Sequence, residues 1–234
     1  MNKPDILVFD NSDDFITGAA ALIAAAVRSV LQQKKVCRIS LAGGTTPGPV
    51  YAALVNRDVC GELPLNRIEI LFGDERAVSK DHKDSNYAMA AKYFGASFDL
   101  FKNIYPMETV NVNHDDAANK YSRLLEQPVD IMILGLGEDA HVASVFPNSS
   151  IFGDNDKRAA FITGSKPPPL RMTVTPKVIK EAKRVFVLAK GEGKAEAVNA
   201  VFSMPSNPQR YPGQLALSGT WIMDRPAASE LLKF

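Results

Sequence analysis

Residues 129–137 read VDIMILGLG. The run is almost continuously apolar and ends in glycines. A strand with one wet face alternates polar and apolar residues, and this one does not. It predicts a strand buried on both faces, as in a parallel sheet covered by helices. Further strands should therefore alternate with helices on either side of it in the chain.

That alternation is present. Upstream, DILVF (5–9), CRISLA (37–42), RIEILFG (67–73) and IYPME (104–108) read as strands. Downstream, RAAFIT (158–163), LRMTVT (170–175), RVFVLAKG (184–191) and TWIMD (220–224) do the same. Helices are expected over 13–34 with Asp13 or Asp14 as cap, after Thr46–Pro47, from Asn86 to Tyr93, over 114–126, after Thr175–Pro176, over 192–202 and over 226–232. DERAVSKDHKD (74–84) and the proline-rich stretch 203–214 read as loops. The expected fold class is α/β, a three-layer α/β/α sandwich around a mainly parallel sheet, in one domain over 1–234.

Composition narrows the classes. The chain has 234 residues, 27 Lys plus Arg against 26 Asp plus Glu, 46% hydrophobic and 23% charged residues. Disorder needs low hydrophobicity and high net charge, so it is excluded. A net charge of +1 gives no nucleic-acid partner through overall charge. The two cysteines, Cys37 and Cys60, build no disulfide scaffold and are expected as reduced thiols. The apolar stretch GAAALIAAAV (18–27) is short for a membrane span, and the acidic N-terminal region is unlike a signal peptide. A cytoplasmic protein with no membrane partner is expected.

In a parallel α/β fold, ligands bind beyond the carboxyl ends of the strands. Three segments should lie there. LAGGTTPG (41–48) offers Gly43, Gly44, Thr45 and Thr46 ahead of a helix start. It is either a phosphate cradle or a plain strand-to-helix turn, and it is neither a P-loop nor a dinucleotide fingerprint. FGDERAVSKDHKDSN (72–86) projects Asp74, Glu75 and Arg76 from a buried strand, either toward a ligand or as a solvated loop. ILGLGEDAHVASVFP (133–147) places Glu138, Asp139 and His141 after the most apolar strand. Of the three histidines, His82, His114 and His141, the last is the best candidate for proton transfer near neutral pH. Arg171 and Lys194 are further anion-binding candidates or surface charges. The histidines and cysteines show no short-spaced zinc pairs, and no GxSxG elbow is present.

Together these segments resemble the bacterial-type 6-phosphogluconolactonase family, related more distantly to glucosamine-6-phosphate deaminases. LAGGTTP is similar to that family's SGGSTP loop. GDERAV followed by DHKDSN is similar to its GDERxVPxxHxxSN segment, and DIMILGLGEDAHVASVFP to its LLGxGxDGHTASLFP segment. PPPLRMTVT, GEGKAEAV and WIMDRPAASEL match further stretches in family order, so the resemblance runs from about 37 to 228. It implies the glucosamine-6-phosphate deaminase fold and hydrolysis of a phosphosugar lactone without cofactor or metal. It further implies that His141 is catalytic and that Asp74, at the acidic position used as a base by the deaminases, supports or orients. Gly43 to Thr46, Arg76, Asp139, Arg171 and Lys194 are implied around the substrate and its phosphate. Asn86 matches the family's loop-holding asparagine. The chain is expected as a monomer or a homodimer.

The chain departs from the pattern at Ala42, Ser79, Ala140 and Val142. Ala140 replaces a glycine, which would cost about 1 kcal/mol if that position needs φ > 0. The deaminase branch carries a phenylalanine–asparagine–glutamate stretch after its histidine; here Val145, Phe146, Pro147 and Asn148 stand without the glutamate. A phosphosugar-binding regulator on the same fold is the other alternative.

Overall fold

The computed structural model describes residues 4–153 and 156–233. The ends of the expected 1–234 unit lie outside the described residues. In chain order the elements are β1 (Asp5–Phe9), α1 (Ser12–Gln33), β2 (Cys37–Leu41), α2 (Pro47–Leu54), α3 (Arg57–Cys60), β3 (Ile68–Phe72) and β4 (Asp74–Arg76). Then come α4 (Asn86–Phe94), β5 (Asn103–Ile104), α5 (His114–Leu124), β6 (Ile131–Gly135), β7 (Ala159–Thr163) and β8 (Leu170–Val174). The chain ends with α6 (Pro176–Glu181), β9 (Arg184–Ala189), α7 (Ala195–Ser203) and β10 (Thr220–Asp224).

Seven strands form one sheet in the order β1-β10-β9-β6-β2-β3-β5, and every pair in it is parallel. β6 is central, and Ile131 to Leu134 are fully buried, as the unbroken apolar run required. The order of strands reverses between β2 and β6. From β2 the chain moves outward through β3 to β5; from β6 it moves the other way through β9 to β10. Loops leaving two strands at such a point diverge and open a crevice at their carboxyl ends.

A second sheet, β4-β8-β7, is antiparallel. The segment 74–76, expected as loop, is therefore a strand. β3 continues into β4 through Gly73, whose N–H donates to Leu41 O at 2.8 Å and whose C=O accepts from Val174 N at 2.8 Å. Strand β4 exists because β8, almost a hundred residues later, supplies its partner.

Local chemistry moved several boundaries. The cap of α1 is Asn11, whose side chain accepts from the N–H groups of Asp13 and Asp14; those two acids occupy the first turn instead. Thr46 stands at the N-cap position of α2 with Pro47 following, but it is already helical (φ −73°, ψ −47°). The strand expected at 104–108 is only Asn103–Ile104, because Pro106 has no N–H for a ladder. The closing segment 226–232 is turns followed by a short 3-10 turn at Leu231–Lys233, not an α-helix.

The 22-residue α1 contains an 18-residue window of mean hydropathy 1.6, so by length and composition it could cross a bilayer, unlike the shorter 18–27 stretch. Its Phe15, Ala19, Ala20, Ile23, Ala24 and Val27 are buried in the main core. Two buried tyrosines finish neighbouring strands. Tyr51 Oη accepts from Ala42 N and donates to Ala42 O, both at 2.9 Å. Tyr121 Oη accepts from Phe72 N at 2.8 Å and donates to Phe72 O at 3.1 Å. Each satisfies backbone groups where its strand leaves the sheet, which fixes the floor of the crevice. Cys37 and Cys60 are buried and free.

Candidate active site

The crevice between β2 and β6 holds a cleft of about 320 Å³. Gly43, Gly44, Thr45 and Thr46 form one wall; Gly137, Glu138 and His141 form the other. Asp74, Arg76 and Arg171 close it from the second sheet, and Lys166, Lys190 and Lys194 stand at its rim. All the expected site residues line this cleft except Asp139, which lies behind His141. Five cations (Arg76, Lys166, Arg171, Lys190, Lys194) face two carboxylates (Asp74, Glu138) there. A chain of net charge +1 thus carries a locally positive cleft, suited to an anion.

His141 is positioned by its own turn. Gly137 N donates to His141 O at 2.8 Å, and Ala140 N donates to Gly137 O at 3.0 Å. A Cβ on Gly137 would fall 2.0 Å from His141 Nδ1, so only glycine lets the ring lie over this turn. His141 Nδ1 is hydrogen-bonded to Asp139 Oδ1, and His141 N donates to the same oxygen at 3.3 Å. Burial pushes the Asp139 carboxyl up, but the hydrogen bonds and charge of His141, aided by Lys166, outweigh it and hold it at about 2. Asp139 is thus an ionised acceptor. It favours the tautomer with the proton on Nδ1, leaving Nε2 as the basic atom. The His141 ring packs on Phe146 at 4.6 Å, and the Arg171 guanidinium lies 5.4 Å from the Phe146 ring.

The alternation of β4 sorts its three charges. Asp74 pairs with Thr173 and Arg76 with Arg171, all on one face; Glu75 points the other way. Glu75 is buried and accepts from the N–H groups of Arg76 (2.8 Å), Asn86 (2.7 Å) and Tyr87 (2.9 Å), and from Ser85 Oγ at 3.0 Å. Burial pushes its carboxyl up, and those backbone bonds partly offset the shift. Glu75 therefore anchors the start of α4. Asn86 in turn donates to Asp74 Oδ1 at 2.9 Å and Asp74 O at 2.8 Å. Ser144 Oγ donates to Asp74 Oδ2, and Arg171 Nη1 lies 3.8 Å from that oxygen.

Arg171 is itself buried. Its Nε donates to Pro168 O at 2.9 Å and its Nη2 to Lys166 O at 3.1 Å, so the loop before β8 aims it. Burial first, and then the charge of Arg76, pull its pKa down. Arg76 Nη1 donates to Asp84 O at 2.8 Å, while its buried Nε has no partner among the described residues. Lys194 is pulled down by burial, with Glu138 opposing. Glu138 pairs with Lys166 at 3.7 Å.

The sequence places Glu75 with Asp74 and Arg76, facing a ligand or solvent, and does not reveal its buried anchoring role; it gives no sign of Ser144, Lys166 or Lys190. For Glu75 the signal was present in the alternation of D-E-R, had the segment been read as a strand. Ser144 lies three residues beyond His141. Lys166 and Lys190 belong to no local pattern.

A glycine-lined, cationic cleft at the reversal point of a parallel sheet, with a carboxylate-held histidine on one wall, defines an α/β protein acting on a small anion. A family model described as glucosamine-6-phosphate isomerases/6-phosphogluconolactonase matches residues 10–223, and the chain belongs to that family. A 6-phosphogluconolactonase of Synechocystis sp. is 30% identical, over 97% of this chain and 98% of the relative. One from Nostoc sp. is also 30% identical, over 98% and 99%. The structure of a 6-phosphogluconolactonase from Trypanosoma brucei superposes with TM-score 0.83 at 26% identity, over 99% of this chain and 100% of that one. A monomeric glucosamine-6-phosphate deaminase shares the fold, with TM-score 0.83 at 21% identity.

Proposed function

We propose that this protein hydrolyses 6-phospho-D-glucono-1,5-lactone to 6-phospho-D-gluconate, the lactone-opening step of the oxidative pentose phosphate pathway. The Asp139–His141 pair on the wall of a cationic cleft carries this reading. The phosphate docks on the cleft's lysines and arginines, away from the reacting carbon, and so orients it. Nε2 of neutral His141 takes a proton from water as the water oxygen bonds to the C1 carbonyl carbon. The N–H groups of residues 43–46 stabilise the tetrahedral oxyanion. As the C1–ring oxygen bond breaks, the histidinium returns its proton to the departing oxygen. Water is consumed, and the free carboxyl product is a second anion.

Asp74 supports the lactonase reading over a deaminase one. Both its carboxylate oxygens are engaged, Oδ1 by Asn86 and Oδ2 by Ser144. Such a group orients its neighbours better than it abstracts a proton from carbon. The cytoplasm is the compartment in which we place the enzyme, as a monomer or homodimer with the whole chain as one catalytic unit.

The direct test is lactone opening measured above its spontaneous background, with glucosamine 6-phosphate as control. His141→Ala is expected to lower kcat about 10²–10⁴-fold with KM little changed. A variant with near-normal kcat would remove His141 from the role of base.

A further inference from the structure

Two of the cleft's lysines depend on one turn. Beyond β9 the chain passes through Lys190, turns at Gly191 (φ +92°) and enters a 3-10 turn, Glu192–Lys194, that leads into α7. Lys190 and Lys194 both line the cleft, and both are partly exposed. Long side chains on a surface turn sweep a large volume unless the backbone beneath them is fixed.

The fixing group is on the next strand. Asp224 ends β10 and is 5% exposed. The Gly191 N–H donates to its Oδ1 at 2.9 Å and its Oδ2 at 3.1 Å. Oδ1 also accepts from Ala227 N at 2.9 Å, and Ala228 N donates to Asp224 O at 3.1 Å. The β9–β10 register pairs Met223 with Ala189, which sets Asp224 abreast of Lys190. A turn N–H at the surface is satisfied by water at little cost. A buried carboxylate is an expensive way to satisfy it, and becomes worthwhile where the turn's position matters.

We propose that Asp224 is a positioning residue for substrate phosphate. It pins the Gly191 turn to the end of β10 and so holds Lys190 and Lys194 at the cleft. This rests on the hydrolytic reading above. Asp224 touches no reacting atom, so its loss should be felt in binding of the phosphorylated end and not in the chemical step.

The test compares two substrates on the full-length protein: the 6-phosphorylated lactone and unphosphorylated glucono-1,5-lactone. Asp224→Leu should raise KM for the phosphorylated lactone about tenfold or more, the range expected for losing hydrogen bonds to a charged group. Its kcat, and kcat/KM on the unphosphorylated lactone, should stay near wild type. Inorganic phosphate should also inhibit the variant more weakly. Asp224→Asn keeps an oxygen at Oδ1, which already accepts both N–H groups, and should restore most of the affinity. If Asp224→Leu does not fold, Gly191→Ala moves the same turn from its other side, since alanine is strained at φ +92°, and should give the same split. Equal losses on both lactones, or an unchanged KM, would overturn the proposal. A wild-type protein inactive on the phosphorylated lactone would instead overturn the hydrolytic reading, and the proposal would fall with it.

Discussion

Arg76 and Arg171 are register partners across the β4–β8 ladder, with their side chains on the same face. Like charges placed directly opposite each other oppose pairing. The arrangement is stabilised by Asp74, next but one on β4 and 3.8 Å from Arg171, and under the proposed function a substrate anion would complete it. Removing one arginine should therefore harm binding more than folding. For Arg76→Gln we expect KM to rise about 10–100-fold, the equivalent of losing a charged hydrogen-bonding partner. Phosphate should raise the Tm of the wild type by ligand linkage and raise that of the variant much less. Thermal melts across a phosphate titration check both, and an equal phosphate response would contradict this assignment.

The parallel sheet was legible because burial on both faces leaves near-continuous apolar runs, as in VDIMILGLG and RVFVLAKG; CRISLA alternates, although Arg38 and Ser40 are buried along with the rest of β2. Strand β4 was not, because three charges in a row look like a loop and only pairing with β8 makes them a strand. The site was legible where glycines and a rare histidine mark it. Asp224, Lys166 and Lys190 were not, since their roles come from cross-strand hydrogen bonds or from loops that meet only in space. The closing segment is not a helix even though Asp224 accepts from the Ala227 N–H as a helix cap would; nothing in the structure explains why only turns follow it.

Gly137 should be the most sensitive glycine for catalysis. A Cβ there would fall 2.0 Å from His141 Nδ1 and 2.7 Å from Asp139 Oδ1. Gly137→Ala must push the ring away from its carboxylate. We expect kcat to fall about as far as for loss of the base, roughly 10²–10⁴-fold. Urea unfolding should still show a cooperative transition. An active Gly137→Ala variant would mean that the ring is not held as described.

Asp139 links stability to acid. Its folded pKa, about 2, lies below the ordinary 3.8, so the unfolded chain binds the proton more tightly. The stabilisation is complete above about pH 4 and is lost as pH falls through about 2. The side chain is 32% exposed, so solvent screening leaves on the order of 1–2 kcal/mol at most. Urea midpoints of wild type and Asp139→Asn should differ at pH 5–7 and converge toward pH 2. Parallel curves would show that the carboxylate is not stabilised by its partners. The same variant should also lower kcat, since its amide no longer favours the Nδ1–H tautomer.

Ala140 stands where the family pattern has glycine, and its φ is +64° in a position only 2% exposed. The left-handed conformation costs an alanine about 1–2 kcal/mol. Against this, glycine would give up about 0.4–1 kcal/mol through the entropy of the unfolded chain, and about 0.8 kcal/mol through the lost buried methyl. The terms nearly cancel, which explains how this chain tolerates alanine and revises the simple cost of about 1 kcal/mol. Ala140→Gly should therefore change the unfolding free energy by less than about 1 kcal/mol. It should also preserve the Ala140 O acceptor for Gly213 N at 2.8 Å, and with it the loop beside His141. Ala140→Val is the discriminating variant. A β-branched residue at positive φ is strained by about 1–3 kcal/mol, and a buried site adds overpacking. Urea denaturation of the pair separates the terms: a near-neutral glycine with a strongly destabilising valine is expected, and a valine as stable as alanine would show that the backbone here is not left-handed.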